Sequence, residues 1–239
     1  MISSEITLIL PTKNHEKLIL NNISSVIQFL EKNFSNFEIL IISNGSHKTN
    51  LDLISSYKSK YIKHFVYEYS GKGFAVRKGI ENSTYKYLLI CDADFSVDIK
   101  FIDNFFNDGL PLSSFVVGSR KLSNSQIIKT PLIRTISGGI FTYLTKHFLK
   151  IKFTDTQCGF KLIDKIEFKN SDKYFSDDFF YDVELFLLAK KNSIKISEVP
   201  VRYVHNDKSS INIIFDSFRM FIKLVSAKYR YRWQAFYFF

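Results

Sequence analysis

The chain is poor in the residues that staple, break or loosen a fold. Its 239 residues include only two cysteines, four prolines and nine glycines. Cys91 and Cys158 stand far apart and belong to no CxxC or Cys/His cluster. That excludes a disulfide scaffold and a zinc finger, and leaves two buried thiols of a reducing compartment. The low glycine and proline counts exclude collagen-like and linker-rich classes. None of the five histidines has metal-binding spacing, and there is no G-x-S-x-G elbow, helix-turn-helix cue or RNA-binding pattern of interleaved aromatic and basic residues. Long apolar runs are missing too. The longest unbroken one has five residues, and the longest uncharged stretch, 18–30, has thirteen and contains Asn, Ser and Gln. A membrane-crossing helix needs about 20 mostly apolar residues, so none is expected. The N-terminal residues lack the basic-then-apolar order of a signal peptide, so no leader is expected either.

What is present is apolar and basic. Hydrophobic residues make up 46% and aromatic residues 16%, enough buried material to offset the entropy of folding and to exclude disorder. Thirty-three Lys and Arg against 23 Asp and Glu give a net charge of +10, which favours a nucleotide, a nucleic acid or the negative face of a membrane as partner. Residues 6–10, 38–43, 64–69, 86–92 and 114–119 read as strands, most of them continuously apolar as in a sheet covered on both faces. Helical spacing of Leu18, Ile19, Ile23, Val26, Ile27 and Leu30 predicts a helix between the first two. Weaker helical patterns cover 51–57, 72–81 and 99–107. The fold class is therefore α/β with a mainly parallel central sheet flanked by helices. Ligands of such sheets sit beyond the carboxyl ends of the strands, so Pro11, Asn44 and Asp92 to Asp94 should share one crevice. Farther on, 121–130 reads as a loop, 132–149 and 178–190 as helices, and 194–203 as a strand. One domain over 1–208 is expected. The tail, 209–239, carries an amphipathic helix with Ile211, Ile214, Phe215, Phe218, Phe221, Ile222 and Val225 on one face, then basic residues and a terminal aromatic run. It suits either a lipid interface or packing on the domain.

The sharpest local feature is Leu88-Leu89-Ile90-Cys91-Asp92-Ala93-Asp94, an apolar strand that delivers two carboxylates, one residue apart, at its end. Hard divalent cations take such oxygen ligands, and Mg²⁺ commonly adds the oxygens of a substrate diphosphate to one or two carboxylates. Alone, Asp-x-Asp is also the composition of a solvated turn. Gly71-Lys72-Gly73-x-Ala75-Val76-Arg77-x-Gly79 is neither a P-loop nor a dinucleotide fingerprint. Its glycines allow close backbone approach to a phosphate at a helix start, with Lys72 or Arg77 adding charge; it reads equally well as a turn before a solvated basic helix.

These segments, in this order, resemble the inverting glycosyltransferases of family 2 with the GT-A fold, nearest to the polyprenyl-phosphate sugar synthases (dolichyl-phosphate mannose and glucose synthases). Pro11-Thr12-Lys13-Asn14, Ser43-Asn44-Gly45-Ser46, the glycine-rich segment, Asp92-Ala93-Asp94 and Gly118-Ser119-Arg120 carry the first part of the likeness. Asp155-Thr156-Gln157-Cys158-Gly159-Phe160-Lys161, Tyr181-Asp182-Val183-Glu184 and Glu198-Val199-Pro200-Val201-Arg202 carry the rest. The resemblance implies transfer of a hexose from a nucleotide-sugar, UDP-sugar being favoured, to a polyprenyl or dolichyl phosphate. Pro11, Thr12, Asn14, Asn44 and Lys72 would line the donor pocket, and Asp92 and Asp94 would hold Mg²⁺ or Mn²⁺ on the diphosphate. Arg120, Arg134 and Arg202 would act on the acceptor phosphate, and Asp155, Asp182 and Glu184 would order the sugar pocket. A peripheral enzyme at the cytoplasmic face of a membrane, held through its tail and binding no nucleic acid, is the matching expectation. Four positions depart from the family pattern: Lys13 and His15 where it has Tyr and Glu, Ser43 where an Asp usually precedes Asn44, and Ser96 where a Gln of the metal shell can stand. Two other functions remain open: transfer to a glycan hydroxyl, with Asp182 or Glu184 as base, and a non-catalytic basic nucleic-acid-binding module.

Overall fold

A computed structural model describes residues 2–128, 131–168, 176–205, 219–227 and 229. The first half alternates strand and helix: β1 (Ile2–Thr12), α1 (Glu16–Asn33), β2 (Phe34–Asn44), α2 (Lys48–Ser56), β3 (Ile62–Tyr67), α3 (Lys72–Asn82) and β4 (Tyr87–Cys91). A 3₁₀ segment, Ile99–Phe105, leads into the small hairpin β5 (Phe106–Asn107) and β6 (Leu110–Pro111). The second half contains β7 (Phe115–Ser119), β8 (Gln126–Ile128), α4 (Leu132–Leu149), β9 (Phe160–Asp164), α5 (Tyr181–Lys191), β10 (Ile196–Pro200) and β11 (Arg202–Val204).

Seven strands form the central sheet in the order β10-β7-β9-β4-β1-β2-β3. All neighbours run parallel except β9, which is antiparallel to both β4 and β7. The period-2 alternation of strands divides the core into two layers. Leu8, Leu10, Ile39 and Ile41 face Ile19, Ile23, Val26 and Leu30 of α1. Ile9, Leu40 and Ile42 face Ala75 and Val76 of α3 and Val183 and Leu185 of α5. A Cβ on Gly79 would strike the side chain of Ile9, so glycine there is what lets α3 lie close to β1.

The expected α/β class and mainly parallel sheet are observed. Four segments differ from expectation. Residues 121–130, read as a loop, contain β8, which pairs with β11 in a second, two-stranded sheet. The single strand read over 194–203 is two, because the chain changes sheets at Val201, whose N–H binds the Ser119 carbonyl. The 99–107 helix is a 3₁₀ segment followed by β5. Strand β9 escaped the sequence reading because Lys161 interrupts its apolar run, and that lysine is fully buried. The tail helix over 211–226 is described only from 219. There Leu224 and Ala227 enter the domain core, while Phe221, Ile222 and Tyr229 face outward. The terminal aromatic run and the boundary at 208 lie outside the described residues.

Candidate active site

Parallel register brings the carboxyl ends of β1, β2 and β4 to one edge of the sheet, as expected from the crevice rule. Thr12 and Asn44 end β1 and β2, and Asp92 follows β4 directly. The turn after Asp92 is closed by the Phe95 N–H on the Asp92 carbonyl (3.0 Å) and by the Ser96 N–H on Asp94 Oδ1 (3.0 Å). Phe95 takes a left-handed φ of 49° to make it, a strained choice for a bulky residue. The carboxylate of Asp92 lies against Gly159, leaving no room there for a Cβ. Lys72 Nζ sits 2.7 Å from Asp92 Oδ1 and within about 6 Å of the Phe179 and Tyr181 ring centroids. Burial disfavours both charges, but each stabilises the other: the Asp92 carboxyl is held below its usual range and the Lys72 ammonium well above it. Asp94 goes the other way, raised by burial and by the charge of Asp92.

The glycine-rich loop is fastened from two sides. Asn44 Nδ2 donates to the Gly71 carbonyl (2.9 Å), and the Phe74 N–H donates to the Asp177 carbonyl (3.1 Å). Gly71 and Gly73 pack on the backbone of Asp177 and Ser176 so closely that a Cβ at either would collide with a carbonyl oxygen. Arg77 pairs with Asp177 (2.6 Å), turned toward this strap.

Arg120 follows β7 and is held by Asp155 through its backbone N–H (3.1 Å), Nε (2.7 Å) and Nη2 (2.9 Å). Despite burial, this bidentate pair keeps the Asp155 carboxyl far below the usual carboxylate range and the Arg120 guanidinium firmly charged. The guanidinium also lies 5.2 Å from the Tyr203 ring centroid. Its charge helps to lower Asp92, and Tyr203 feels the charges of Asp94 and Asp92, so Arg120, Tyr203 and the paired aspartates share one electrostatic neighbourhood. Arg202 sits one residue from Tyr203 on β11, and strand alternation turns it to the exposed side. The side chain of Arg134, in the first turn of α4, lies outside the described residues.

Three carboxylates expected to order a sugar pocket are engaged by protein groups. Asp155 orients Arg120. Asp182 pairs with Lys161 at 2.6 Å, both essentially without solvent access, and Lys161 also donates to the Cys158 carbonyl (2.5 Å). Glu184 accepts from the Ser176 hydroxyl (2.9 Å) and from the Ser176 N–H. Asn14 likewise acts within the protein. Its Oδ1 accepts from the His47 N–H (2.8 Å) and Asn50 Nδ2 (3.2 Å), latching the β1–α1 turn to the loop after β2. Pro11 is buried at the end of β1. The Thr12 hydroxyl is buried with no hydrogen-bond partner among the described residues, as a group awaiting a ligand would be.

Sequence reasoning overlooked Glu16 and His64. Ser43 Oγ donates to Glu16 Oε1 (2.9 Å) and lies 2.9 Å from His64 Nε2. Glu16 is fully buried, so a carboxylate from α1 stands close to Ser43, where the family pattern has an Asp. Burial lowers the His64 pKa against the opposing charge of Glu16. The place of Glu16 in the first turn of α1 gives no sign in the sequence of this contact with the end of β2.

Chemically, the cleft offers two carboxylates, one lysine and one well-held arginine. The donor set fits a hard cation: both groups are oxygen ligands, and a cation, the Lys72 ammonium, already rests on Asp92. No group of three His, Cys, Asp or Glu among the described residues forms a closed cage, so such an ion would complete its shell with substrate oxygens and water. Burial and the nearby aspartates raise the thiol of Cys91 well above its usual pKa, and Cys158 is pushed up to about 11. Neither supplies a thiolate nucleophile.

Known proteins place this arrangement. The family model for glycosyl transferase family 2 matches residues 7–170. The chain is 29% identical over 236 residues to a dolichyl-phosphate beta-glucosyltransferase of Drosophila melanogaster, covering 87% of this chain and 70% of that one. It is 28% identical over 249 residues to the enzyme of that name from Saccharomyces cerevisiae (95% and 75% covered). Among solved structures, mannosyl-3-phosphoglycerate synthase from Rubrobacter xylanophilus superposes with a TM-score of 0.68 at 14% identity, covering 97% of this chain and 75% of that one. Glucosyl-3-phosphoglycerate synthase from Mycobacterium tuberculosis, in complex with Mn²⁺, UDP-glucose and phosphoglyceric acid, superposes with 0.64 at 12% identity (94% and 80%). These structures share the fold, and the family match spans β1 to β9 with both aspartates and Arg120: the chain belongs to glycosyltransferase family 2.

Proposed function

We propose that the protein moves a hexose from a nucleotide-sugar, a UDP-sugar, to a polyprenyl or dolichyl phosphate, with inversion at the anomeric carbon. The observation that carries this is Arg120, locked by Asp155 within electrostatic reach of the Asp92–Asp94 pair. The donor's nucleotide lies at the ends of β1 and β2, with the free Thr12 hydroxyl as one contact, and its diphosphate lies at Asp92, Asp94 and Lys72. Asp92 and Asp94 would hold Mg²⁺ or Mn²⁺; when bound, that ion supplies charge neutralisation of the departing diphosphate. Arg120, with Arg134 from α4, receives the acceptor phosphate.

Such an acceptor carries roughly −1.5 to −2 charge at neutral pH, so it needs positioning rather than deprotonation. The cleft matches that need. Asp182 and Glu184, the two candidates for a base, are taken by Lys161 and Ser176. A glycan hydroxyl would require a base, which weighs against that acceptor. The raised thiols offer no nucleophile for a covalent intermediate, in keeping with a single in-line displacement.

No helix among the described residues is long and apolar enough to cross a membrane. Residues 219–227 instead grip the domain through Leu224 and Ala227, and through Arg219 and Lys223 paired with Asp178, and turn Phe221, Ile222 and nearby Tyr229 outward. We read this as peripheral attachment to the cytoplasmic face of a membrane. The test is mass spectrometry of lipid products after incubation with UDP-glucose, Mn²⁺ and polyprenyl phosphate in anionic vesicles. A glycosyl-phospholipid is expected, and Asp92→Asn should abolish it. Sugar appearing on a glycan but never on the lipid would overturn the acceptor, and a trapped covalent glycosyl-enzyme would overturn the displacement.

A further inference from the structure

We infer that Lys72 is a built-in counter-ion that competes with the divalent cation for Asp92, so that the cleft takes up cation and nucleotide diphosphate together rather than the cation first. This rests on the reading of Asp92 and Asp94 as the metal-holding pair.

The pieces are few. Lys72 Nζ lies 2.7 Å from Asp92 Oδ1, with 16% of the lysine and 36% of the aspartate side chain accessible. Neither end is free to drift. Gly159 packs against the Asp92 carboxylate, and Lys72 opens α3 between two glycines wedged under the Ser176–Asp177 backbone. Asn44 and Asp177 tie that stretch of main chain further. Of the two side chains, the lysine's four-carbon stem has the greater freedom to move.

Charge decides the rest. Asp92 and Asp94 contribute two negative charges and Lys72 one positive, leaving one net negative charge to attract a dication, which would also meet the ammonium at close range. In a partly buried cleft that repulsion is weakly screened. A nucleoside diphosphate brings its own negative charge and accepts the lysine's hydrogen bonds, drawing Nζ off Asp92. The freed carboxylate oxygen then becomes available to the cation. Lys72 thereby moves from placeholder to diphosphate ligand, and a lone cation is discriminated against.

Mn²⁺ binding, followed by the electron paramagnetic resonance signal of the free ion, separates the possibilities. Wild type, Lys72→Met, Lys72→Gln, Lys72→Arg, Asp92→Asn and the Lys72→Met, Asp92→Asn double variant are titrated with and without UDP, with UDP alone as control and circular dichroism to verify folding. Mn²⁺ alone should bind Lys72→Met and Lys72→Gln roughly tenfold more tightly than wild type. Lys72→Arg should stay as weak as wild type, and UDP should tighten Mn²⁺ binding more in wild type than in the uncharged variants. Equal Mn²⁺ affinity with and without the lysine overturns the inference while leaving the metal reading intact. Tightened binding that survives Asp92→Asn in the Lys72→Met background places the ion elsewhere and overturns it too. If Mn²⁺ binds no form even with UDP, the metal reading and the inference fall together.

Discussion

Replacing Gly159 by alanine tests how finely Asp92 is placed. Gly159 does not require a left-handed backbone, so alanine is tolerated by the main chain. Its methyl is not tolerated by Asp92. A Cβ built there lies 2.5 Å from Asp92 Oδ1 and closer still to Oδ2 and Cγ, against 3.4 Å for ordinary contact. The carboxylate, whose Oδ2 would lie nearest the methyl, must therefore retreat by more than about 1 Å, which breaks the 2.7 Å contact with Lys72 and spoils any geometry shared with Asp94. A displacement of that size at a reacting centre costs on the order of 100-fold in rate. Stability should suffer far less, about 1–2 kcal/mol, because a short side chain at the cleft edge can rotate aside. The assay is kcat/KM for glycosyl-phospholipid formation alongside a urea denaturation curve. Near-wild-type turnover in a folded Gly159→Ala protein would refute the claim that the position of the Asp92 carboxylate governs catalysis.

Arg120→Lys should also cost about 100-fold in kcat/KM, since an ammonium cannot keep both in-plane bonds to Asp155, whereas Arg202→Ala, on the exposed side of β11, should cost only a few-fold; steady-state kinetics with polyprenyl phosphate checks both. Asp155→Asn should destabilise the fold by about 3 kcal/mol at neutral pH, the penalty of leaving Arg120 partly buried without its counter-charge. Because the folded pKa of Asp155 is depressed, its stabilisation is present above about pH 4 and is lost as pH falls through the folded value, so wild type should lose stability in acid more steeply than Asp155→Asn, as urea midpoints across that range will show. Lys161→Met should destabilise by about 3–5 kcal/mol by stranding buried Asp182, and adding Asp182→Leu should restore part of the loss in thermal melts.

Much of the molecule was legible in one dimension. Apolar strand runs and helices of period 3.6 are local signals, so β3, β4, α1, α3 and α4 are read close to their observed limits, while β1 and β2 are each read four residues short at their N-terminal ends, where polar residues break the apolar run. The parallel arrangement followed from their alternation, and it carried the crevice at the ends of β1, β2 and β4 with it. Asp92 and Asp94 stood out because carboxylates at the end of a buried strand are conspicuous. Strand β9 did not stand out, because a lysine in a buried strand looks wrong until Asp182, twenty-one residues later, arrives to neutralise it. The duties of Asn14, Asp155 and Glu184 were equally hidden. A carboxylate or amide in a sequence does not reveal whether it faces a ligand or another side chain.

The order of its apolar and polar residues alone determined that this chain folds as a layered α/β domain with two aspartates at the mouth of a cleft, since those patterns act over a few residues each. Only the tertiary structure decided that Lys72 rests on Asp92, that Tyr203 rather than Arg202 lies beside Arg120, and that Glu16 stands close to Ser43. These are contacts between distant segments, chosen by close packing and by the need to pair every buried charge, and neither constraint exists until the layers have closed.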